Sequence, residues 1–346
     1  MKESKLQKAA ARFGKGIATV TPLGDGLIHH SYHAKYTDSK PVVLQCINRT
    51  AFLQPENIIH NYQLLTIAIA DSKGATKIPA LQQTAQNKFF WIDEDDDFWR
   101  ATEYIENSFS PAVLSRPDQA YEAAKCFADL TKDLTSVDME KMEVIIPDFH
   151  NIETRYLQFE DSIKKAHISR LLKATHVISE MRDRSALRAK YQEIAASDLF
   201  LTRVMHHDCK INNVLFEKDT NKAICAVDLD TTMPGKFFSD LGDMVRTMAC
   251  TVDENSVAWE DIDVKKDFYN AILHGYLSGL GEQLTDVEKE NIQFAGQLVT
   301  YMQCLRYVTD FLNNDTYYRT KYPEQNLNRA LNQLILLEKL EEFKAG

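Results

Sequence analysis

The stretch from Val204 to Asp230, VMHHDCKINNVLFEKDTNKAICAVDLD, constrains the fold more than any other. Val204-Met205 closes an apolar, strand-like run. His206 to Asn213 is polar and loop-like. Val214-Leu215-Phe216 is a short apolar run, Asp219-Thr220-Asn221-Lys222 supplies turn residues, and Ile224 to Val227 resumes the strand. A hairpin of this kind brings Asp208, Asn213 and Asp228 together at its open end. A surface hairpin with carboxylates at its turns would share the local pattern, so the spacing of residue types has to carry the argument.

That spacing is His206-x-Asp208-x-Lys210-x-x-Asn213, with Asp228 following the second strand. Phosphoryl transfer needs these types. An aspartate orients or deprotonates the attacking hydroxyl, an asparagine and a second aspartate hold Mg²⁺ against the phosphates, and a lysine neutralises charge on the transferred group. Asp208 and Lys210 are therefore the catalytic candidates. Asn213 and Asp228 are the metal candidates, with Asp230 as a further partner.

Asp208-x-x-x-x-Asn213 followed by Asp228-Leu229-Asp230 resembles the aminoglycoside phosphotransferase and choline kinase family. Three further blocks are similar to the N-acetylhexosamine 1-kinases within it. They are Val227 to Gly235 continuing into Ser239 to Arg246, Arg306 to Tyr317, and the weaker Leu44-Gln45-Cys46-Ile47-Asn48. The resemblance covers nearly the whole chain. It implies an α+β, protein-kinase-like two-lobed fold, with an antiparallel sheet and one helix in the N-lobe and a mostly helical C-lobe. It also implies ATP and Mg²⁺ as cofactors, and transfer to the anomeric hydroxyl of an N-acetylhexosamine. Arg306, Asp310 and Tyr317 then fall on the sugar side, with His150 in the segment Pro147 to Asn151 beside them.

Upstream, the Gly24-Asp25-Gly26 turn lies between two strand-like runs, where glycines let backbone N–H groups approach phosphates. Gly24, Gly26 and Ser31 are the phosphate-side candidates, although His29-His30-Ser31 stands where related sugar kinases carry Asn-Asp-Thr. Gln45 occupies the position of the strand lysine of protein kinases. The helix that follows, from about Asn57 to Asp71, has no acidic residue before Asp71 to pair with such a lysine. Losing both partners is coherent, because removing one alone strands a charge. A non-catalytic, nucleotide-binding relative is the alternative, and the complete set in the loop argues against it. Glu103 and Ile105 mark the expected hinge, where backbone groups would meet adenine. The lobe boundary is expected near residue 106, dividing 1–106 from 107–346.

Other expectations are local. Residues 3–13 read as an amphipathic helix, 81–84 and 88–92 as strands, and 93–97 as a solvated acidic turn. Thr285 to Glu288 is a capping box expected to open one long helix through about Asn313. Arg306 and Asp310 lie four apart and would share a face of it. A net charge of −10 argues against a dedicated nucleic-acid binder. Six scattered cysteines without a C-x-x-C pair suggest reduced thiols in a cytoplasm, and no run approaches a membrane span. The rival substrate class is a small amine or aminoglycoside. Such a cationic substrate would want clustered carboxylates or an aromatic cage.

Overall fold

The computed structural model describes residues 2–24 and 29–343. The chain order is α1 (Glu3–Phe13), β1 (Ala18–Pro22), β2 (His30–Tyr36), β3 (Val42–Ile47), α2 (Pro55–Asp71), β4 (Trp91–Ile92), β5 (Phe98–Glu103) and β6 (Ser108–Phe109). Then follow α3 (Pro117–Asp133), α4 (Ile152–Lys165), α5 (Ile168–Asp183), α6 (Ser185–Ala196), β7 (Arg203–Met205), β8 (Val214–Glu217), β9 (Ala223–Ala226) and β10 (Met233–Gly235). The remainder is helical: α7 (Phe238–Met248), α8 (Lys266–Leu280), α9 (Asp286–Glu290), α10 (Phe294–Leu312) and α11 (Gln325–Glu342).

The N-lobe is a five-stranded sheet in the order β1-β2-β3-β5-β4, antiparallel throughout. Alternation along β2 and β3 turns Tyr32, Ala34, Val42 and Leu44 toward Ala9, Ala10 and Phe13 of α1. Ile47 and Phe98 instead meet Ile58 and Ile59 of α2. Farther along α2, Tyr62, Leu65 and Ala68 join the large C-lobe core, so this helix packs on both lobes. In the C-lobe, α3, α7, α8, α10 and α11 build one large core, and two small ribbons, β6-β8-β9 and β7-β10, contribute to it, with α3 lying against β9. The α+β, two-lobed reading of the sequence is borne out.

Four local expectations need correction. Residues 81–84 and 88–92 are not two full strands. Thr84 and Lys88 close a turn in which Asn87 is left-handed, φ +59°, leaving one bridge at Leu81 and the two-residue β4. The acidic segment 93–97 is not merely solvated. Asp93 is buried and accepts from the N–H groups of Asp95 (2.9 Å) and Asp97 (3.0 Å) and from Trp99 Nε1 (2.9 Å), with Lys5 Nζ 3.0 Å away. Helix α2 starts early enough to include Glu56, but that residue is exposed. The capping box at Thr285 is present, yet its helix α9 stops after five residues. Arg203 draws Glu288 inward with contacts of 2.7 and 2.8 Å, Asn291 Nδ2 donates to the Val287 carbonyl (2.8 Å), and α10 begins anew at Phe294.

Candidate active site

The loop after β7 is built around two aspartates of α7. Asp240 accepts the backbone N–H of His206 (3.0 Å) and of His207 (2.7 Å), and Asp243 accepts that of Cys209 (2.8 Å). These bonds take up donors that the sharp loop cannot pair within a sheet. His207 is left-handed, φ +67°, which costs energy in a non-glycine residue and needs such over-determination. Gly235 in β10 is required here, since an added Cβ would lie 2.5 Å from the His207 ring. His206 is structural. Its Nδ1 accepts the Asp208 N–H (3.3 Å), which leaves Nε2–H to donate to the Val227 carbonyl (3.0 Å).

Asp243 is also anchored from behind. Arg246 Nη2 donates to Asp243 (2.9 Å), Arg246 Nη1 to Glu254 (2.8 Å), and Arg329 of α11 also grips Glu254. Burial opposes charge on Glu254, but Arg246 and Arg329 overcome it and hold its pKa at about 2, against an ordinary 4.5. A folded-state pKa below the unfolded one stabilises the protein above pH 4.5, and this stabilisation is lost as the pH falls toward 2. Glu254→Gln is therefore expected to lower stability at pH 7 by up to about 3 kcal/mol. Denaturant unfolding of both proteins across pH should show the gap narrowing below pH 4.5.

The structure brings the catalytic-loop candidates together. Asp208 Oδ2 receives Lys210 Nζ (2.9 Å) and Asn213 Nδ2 (3.0 Å). Burial would raise the Asp208 pKa, but Lys210, His206 and Asn213 hold it below the usual carboxylate value. Asn213 also donates to the Asp208 carbonyl (2.9 Å), so its amide oxygen faces away from Asp208. Asp228 follows β9 in a left-handed conformation, φ 61°, ψ 52°, at the start of a single 3₁₀ turn, Leu229–Thr231.

Asp228 and Asp230 differ in kind. Asp230 is buried, with Arg100 Nη1 2.5 Å from Oδ1 and His29 Nε2 2.9 Å from Oδ2. Burial notwithstanding, Arg100 and His29 drive its pKa far down. Asp228 has no side-chain hydrogen bond or ion pair among the described residues. Burial, Asp230 and Asp208 push its pKa up. A carboxylate short of positive charge fits a divalent cation, and hard oxygen donors suit Mg²⁺. Asp228 and the amide oxygen of Asn213 are the ligands that fit. Asp230 differs in that Arg100 and His29 already face it, yet its carboxylate, that of Asp228 and the His29 ring each place a ligand atom within 4.8 Å of the others, so a shared cation could reach it too.

The nucleotide-side candidates are dispersed. Gly24 is left-handed, φ +68°, with no atom of the described residues within 4 Å of where a Cβ would stand, and Gly26 lies outside the described residues. Ser31 and Gln45 meet each other, Gln45 Nε2 donating to Ser31 Oγ (3.1 Å). Gln45 Oε1 is occupied by Arg100, so both ends of this amide are spent inside the lobe rather than offered to phosphate. Glu103 gives its N–H to the Ala80 carbonyl (2.8 Å), and the Ile105 carbonyl accepts the Ser108 hydroxyl (2.5 Å). Between them Tyr104 stacks on His33, ring centres 3.9 Å apart.

On the opposite side, Arg306 is half-buried with its guanidinium 5.3 Å from the Phe149 ring centre, 5.5 Å from Tyr318 and 5.8 Å from Tyr317. Its hydrogen bond goes to Gln303 Oε1 (3.0 Å), a neutral group. Arg306 and Asp310, four apart on α10, form no ion pair with each other. Asp310 is buried and accepts the N–H groups of Tyr317 (2.8 Å) and Tyr318 (2.9 Å) and the Asn326 amide (2.9 Å), fastening the loop after α10. Asp310 thus stands behind Tyr317, which is 67 % exposed. His150 stacks on Phe149 (4.7 Å) and its Nδ1 lies 3.4 Å from His207 Nδ1. Burial, then His207 and Arg306, push its pKa well down, so it is neutral at pH 7.

Sequence reading missed His29, Arg100 and Asp240 as parts of this site. Arg100 had a signal: it is the one charged residue in Phe98-Trp99-Arg100-Ala101, a strand buried on both faces. A charge there must have a partner.

An antiparallel lobe over a helical lobe, with a loop carrying Asp208, Lys210 and Asn213 beneath it, defines a phosphotransferase architecture. Residues 19–283 match the model of APH, the phosphotransferase enzyme family, and the chain belongs to that family. Solved structures share the fold at low identity. An aminoglycoside phosphotransferase from Alicyclobacillus acidocaldarius is 14% identical, TM-score 0.64, over 97% of this chain and 95% of its own. A microcompartment-associated aminopropanol kinase is 13% identical, TM-score 0.66, over 99% and 97%. An amicoumacin kinase, in complex with AMP-PNP, Ca²⁺ and Ami, is 14% identical, TM-score 0.62, over 98% and 94%. Among the described residues no helix is long and apolar enough to cross a membrane.

Proposed function

We propose that this phosphotransferase moves the γ-phosphoryl group of ATP to the anomeric hydroxyl of an N-acetylhexosamine, with Mg²⁺ as its metal. The observation that carries this reading is Arg306, a half-buried guanidinium walled by Phe149, Tyr317 and Tyr318 and without a carboxylate partner among the described residues. Arg155 lies close enough that burial and Arg306 both lower its pKa. A site with two such cations repels an amine substrate. It suits the acceptor oxygens of ring hydroxyls and an acetamide, with the aromatic rings against the sugar's apolar face. It favours a sugar over the amines for which the aminopropanol kinase and the aminoglycoside phosphotransferase are named.

The residues divide the work. The Ile105 N–H is the hinge donor for adenine, since the Ile105 carbonyl and the Glu103 N–H are engaged elsewhere. Residues 1–106 form the nucleotide lobe and 107–346 the acceptor lobe. Asp228 and Asn213 would hold the Mg²⁺, which would supply positive charge against the phosphates. Lys210, paired with Asp208 here, is long enough to turn to the transferred group. Asp208 orients the sugar hydroxyl. Its lowered pKa makes it a weak proton acceptor, which suits the anomeric hydroxyl, the most acidic of a sugar. Neutral His150 offers a hydrogen bond on the sugar side, and Arg306 and Tyr317 hold ring or acetamide oxygens. Six unpaired cysteines, five of them buried, fit a cytoplasmic setting.

The test is ATP consumption across N-acetylhexosamines, plain hexoses, choline and aminoglycosides. N-acetylhexosamines should turn over, and their methyl glycosides, blocked at the first carbon, should not. Turnover of choline or an aminoglycoside alone would refute the reading. Arg306→Ala should cost ~1.5–3 kcal/mol in sugar use, the worth of a charge-assisted hydrogen bond, without weakening ATP binding. Comparing kcat/KM for sugar with KM for ATP checks this.

A further inference from the structure

The chain has no lysine at the β3 position, and what replaces it is visible. Arg100 of β5 is 2 % exposed and always charged. It sits in register with Gln45 across the β3–β5 ladder. Gln45 Oε1 accepts from both Nε (3.0 Å) and Nη2 (2.8 Å), while Gln45 Nε2 is held by Ser31 Oγ (3.1 Å). This clamp fixes the guanidinium and directs Nη1 across the lobe junction to Asp230, 2.5 Å away. His29 completes the grip. Its Nδ1 accepts the Asn48 N–H (3.1 Å), so Nε2 carries the hydrogen, and Nε2 lies 2.9 Å from Asp230 Oδ2. Two N-lobe side chains thus hold a carboxylate two residues beyond Asp228, joined to it by the single turn Leu229–Thr231. From α2, Asn61 Nδ2 donates to the Thr232 carbonyl (3.3 Å) just past that turn.

We propose that Arg100, clamped by Gln45 and Ser31, is a positioning residue for the metal-binding turn. It acts through Asp230 to set where Asp228 points and how the N-lobe closes over it. One ion pair between the lobes does the work that a strand lysine and a helix glutamate share in protein kinases. The arrangement also accounts for Gln45. A lysine there would face Arg100 as a second buried cation, whereas an amide oxygen matches the planar fork of a guanidinium. The inference rests on the reading of Asp228 as a metal ligand.

The experiment measures Mn²⁺ affinity in the presence of AMP-PNP, by electron paramagnetic resonance of free Mn²⁺, together with thermal unfolding. Arg100→Met or Asp230→Asn alone leaves a buried charge or a disrupted pair. The Arg100→Met/Asp230→Asn protein removes both charges and is expected to recover most of the lost Tm. Its Mn²⁺·AMP-PNP Kd should nevertheless be at least about tenfold weaker than wild type, and no weaker than in the worse single variant, as for groups acting as one unit. Gln45→Leu keeps both charges and removes only the clamp. It should weaken the same Kd about threefold or more, a partial version of the loss expected when positioning slackens. Wild-type Kd in both Gln45→Leu and the double variant would overturn the proposal and leave the pair purely structural. Asp228→Ala separates the two claims. If it binds Mn²⁺·AMP-PNP normally, the metal reading falls and this inference with it. If it loses binding while the double variant does not, only the role of Arg100 falls.

Discussion

Asp208→Asn is expected to lower kcat by ~10²–10⁴ with nucleotide binding retained, the range for losing an orienting and proton-accepting group. Asp208 Oδ2 receives two donors, Lys210 Nζ and Asn213 Nδ2. An asparagine has the same shape but one acceptor oxygen, and its NH₂ would oppose either those donors or the sugar hydroxyl. Because Asp240 and Asp243 hold the loop through backbone N–H groups, the variant should fold normally. Steady-state kinetics with a separate AMP-PNP titration will show the split. A variant keeping more than about a tenth of wild-type kcat would remove Asp208 from this role, since general acid–base contributions are larger than that.

Asp228→Ala is expected to abolish metal-dependent turnover, by ~10³ or more, while leaving the unfolding temperature close to wild type. Roughly 4 kcal/mol of charge stabilisation at the phosphates would go with the ligand. Asp230→Ala should fail differently. It strands the Arg100 guanidinium in the lobe junction, and breaking a buried pair costs about 3–5 kcal/mol of stability. The chief effect of Asp230→Ala is therefore a lower Tm, and that of Asp228→Ala is lost Mg²⁺ response at unchanged Tm. Calorimetry and Mg²⁺ titration of activity on both proteins will distinguish them. If Asp230→Ala lost the Mg²⁺ response and kept its Tm, the assignments of the two carboxylates would have to be exchanged.

What was legible in the sequence is what is local. Asp208 and Asn213 are five residues apart and meet within one loop, so spacing alone brought them together. The amphipathic face of α1 was equally plain, because Ala9, Ala10 and Phe13 recur at helical spacing. The illegible parts depend on partners far along the chain. Gln45 is explained only by Arg100, 55 positions away, and Asp230 only by Arg100 and His29. Asp310 shares a helix face with Arg306 in the sequence, but the loop beyond α10 folds back and claims both its oxygens, which spacing does not encode. The capping box at Thr285 marks a helix start in the sequence and opens one in the structure. The stop at Glu290 is set where Arg203 draws Glu288 inward and Asn291 turns the chain, which helical periodicity does not encode.

The most direct measurement of the central claim is the position of phosphate on the product made from ATP and N-acetylglucosamine or N-acetylgalactosamine. The account predicts a sugar 1-phosphate: its phosphorus couples to the anomeric proton in ³¹P–¹H spectra, and the product has lost its reducing end. A product that still reduces, with phosphorus coupled to the protons on the sixth carbon, would contradict it.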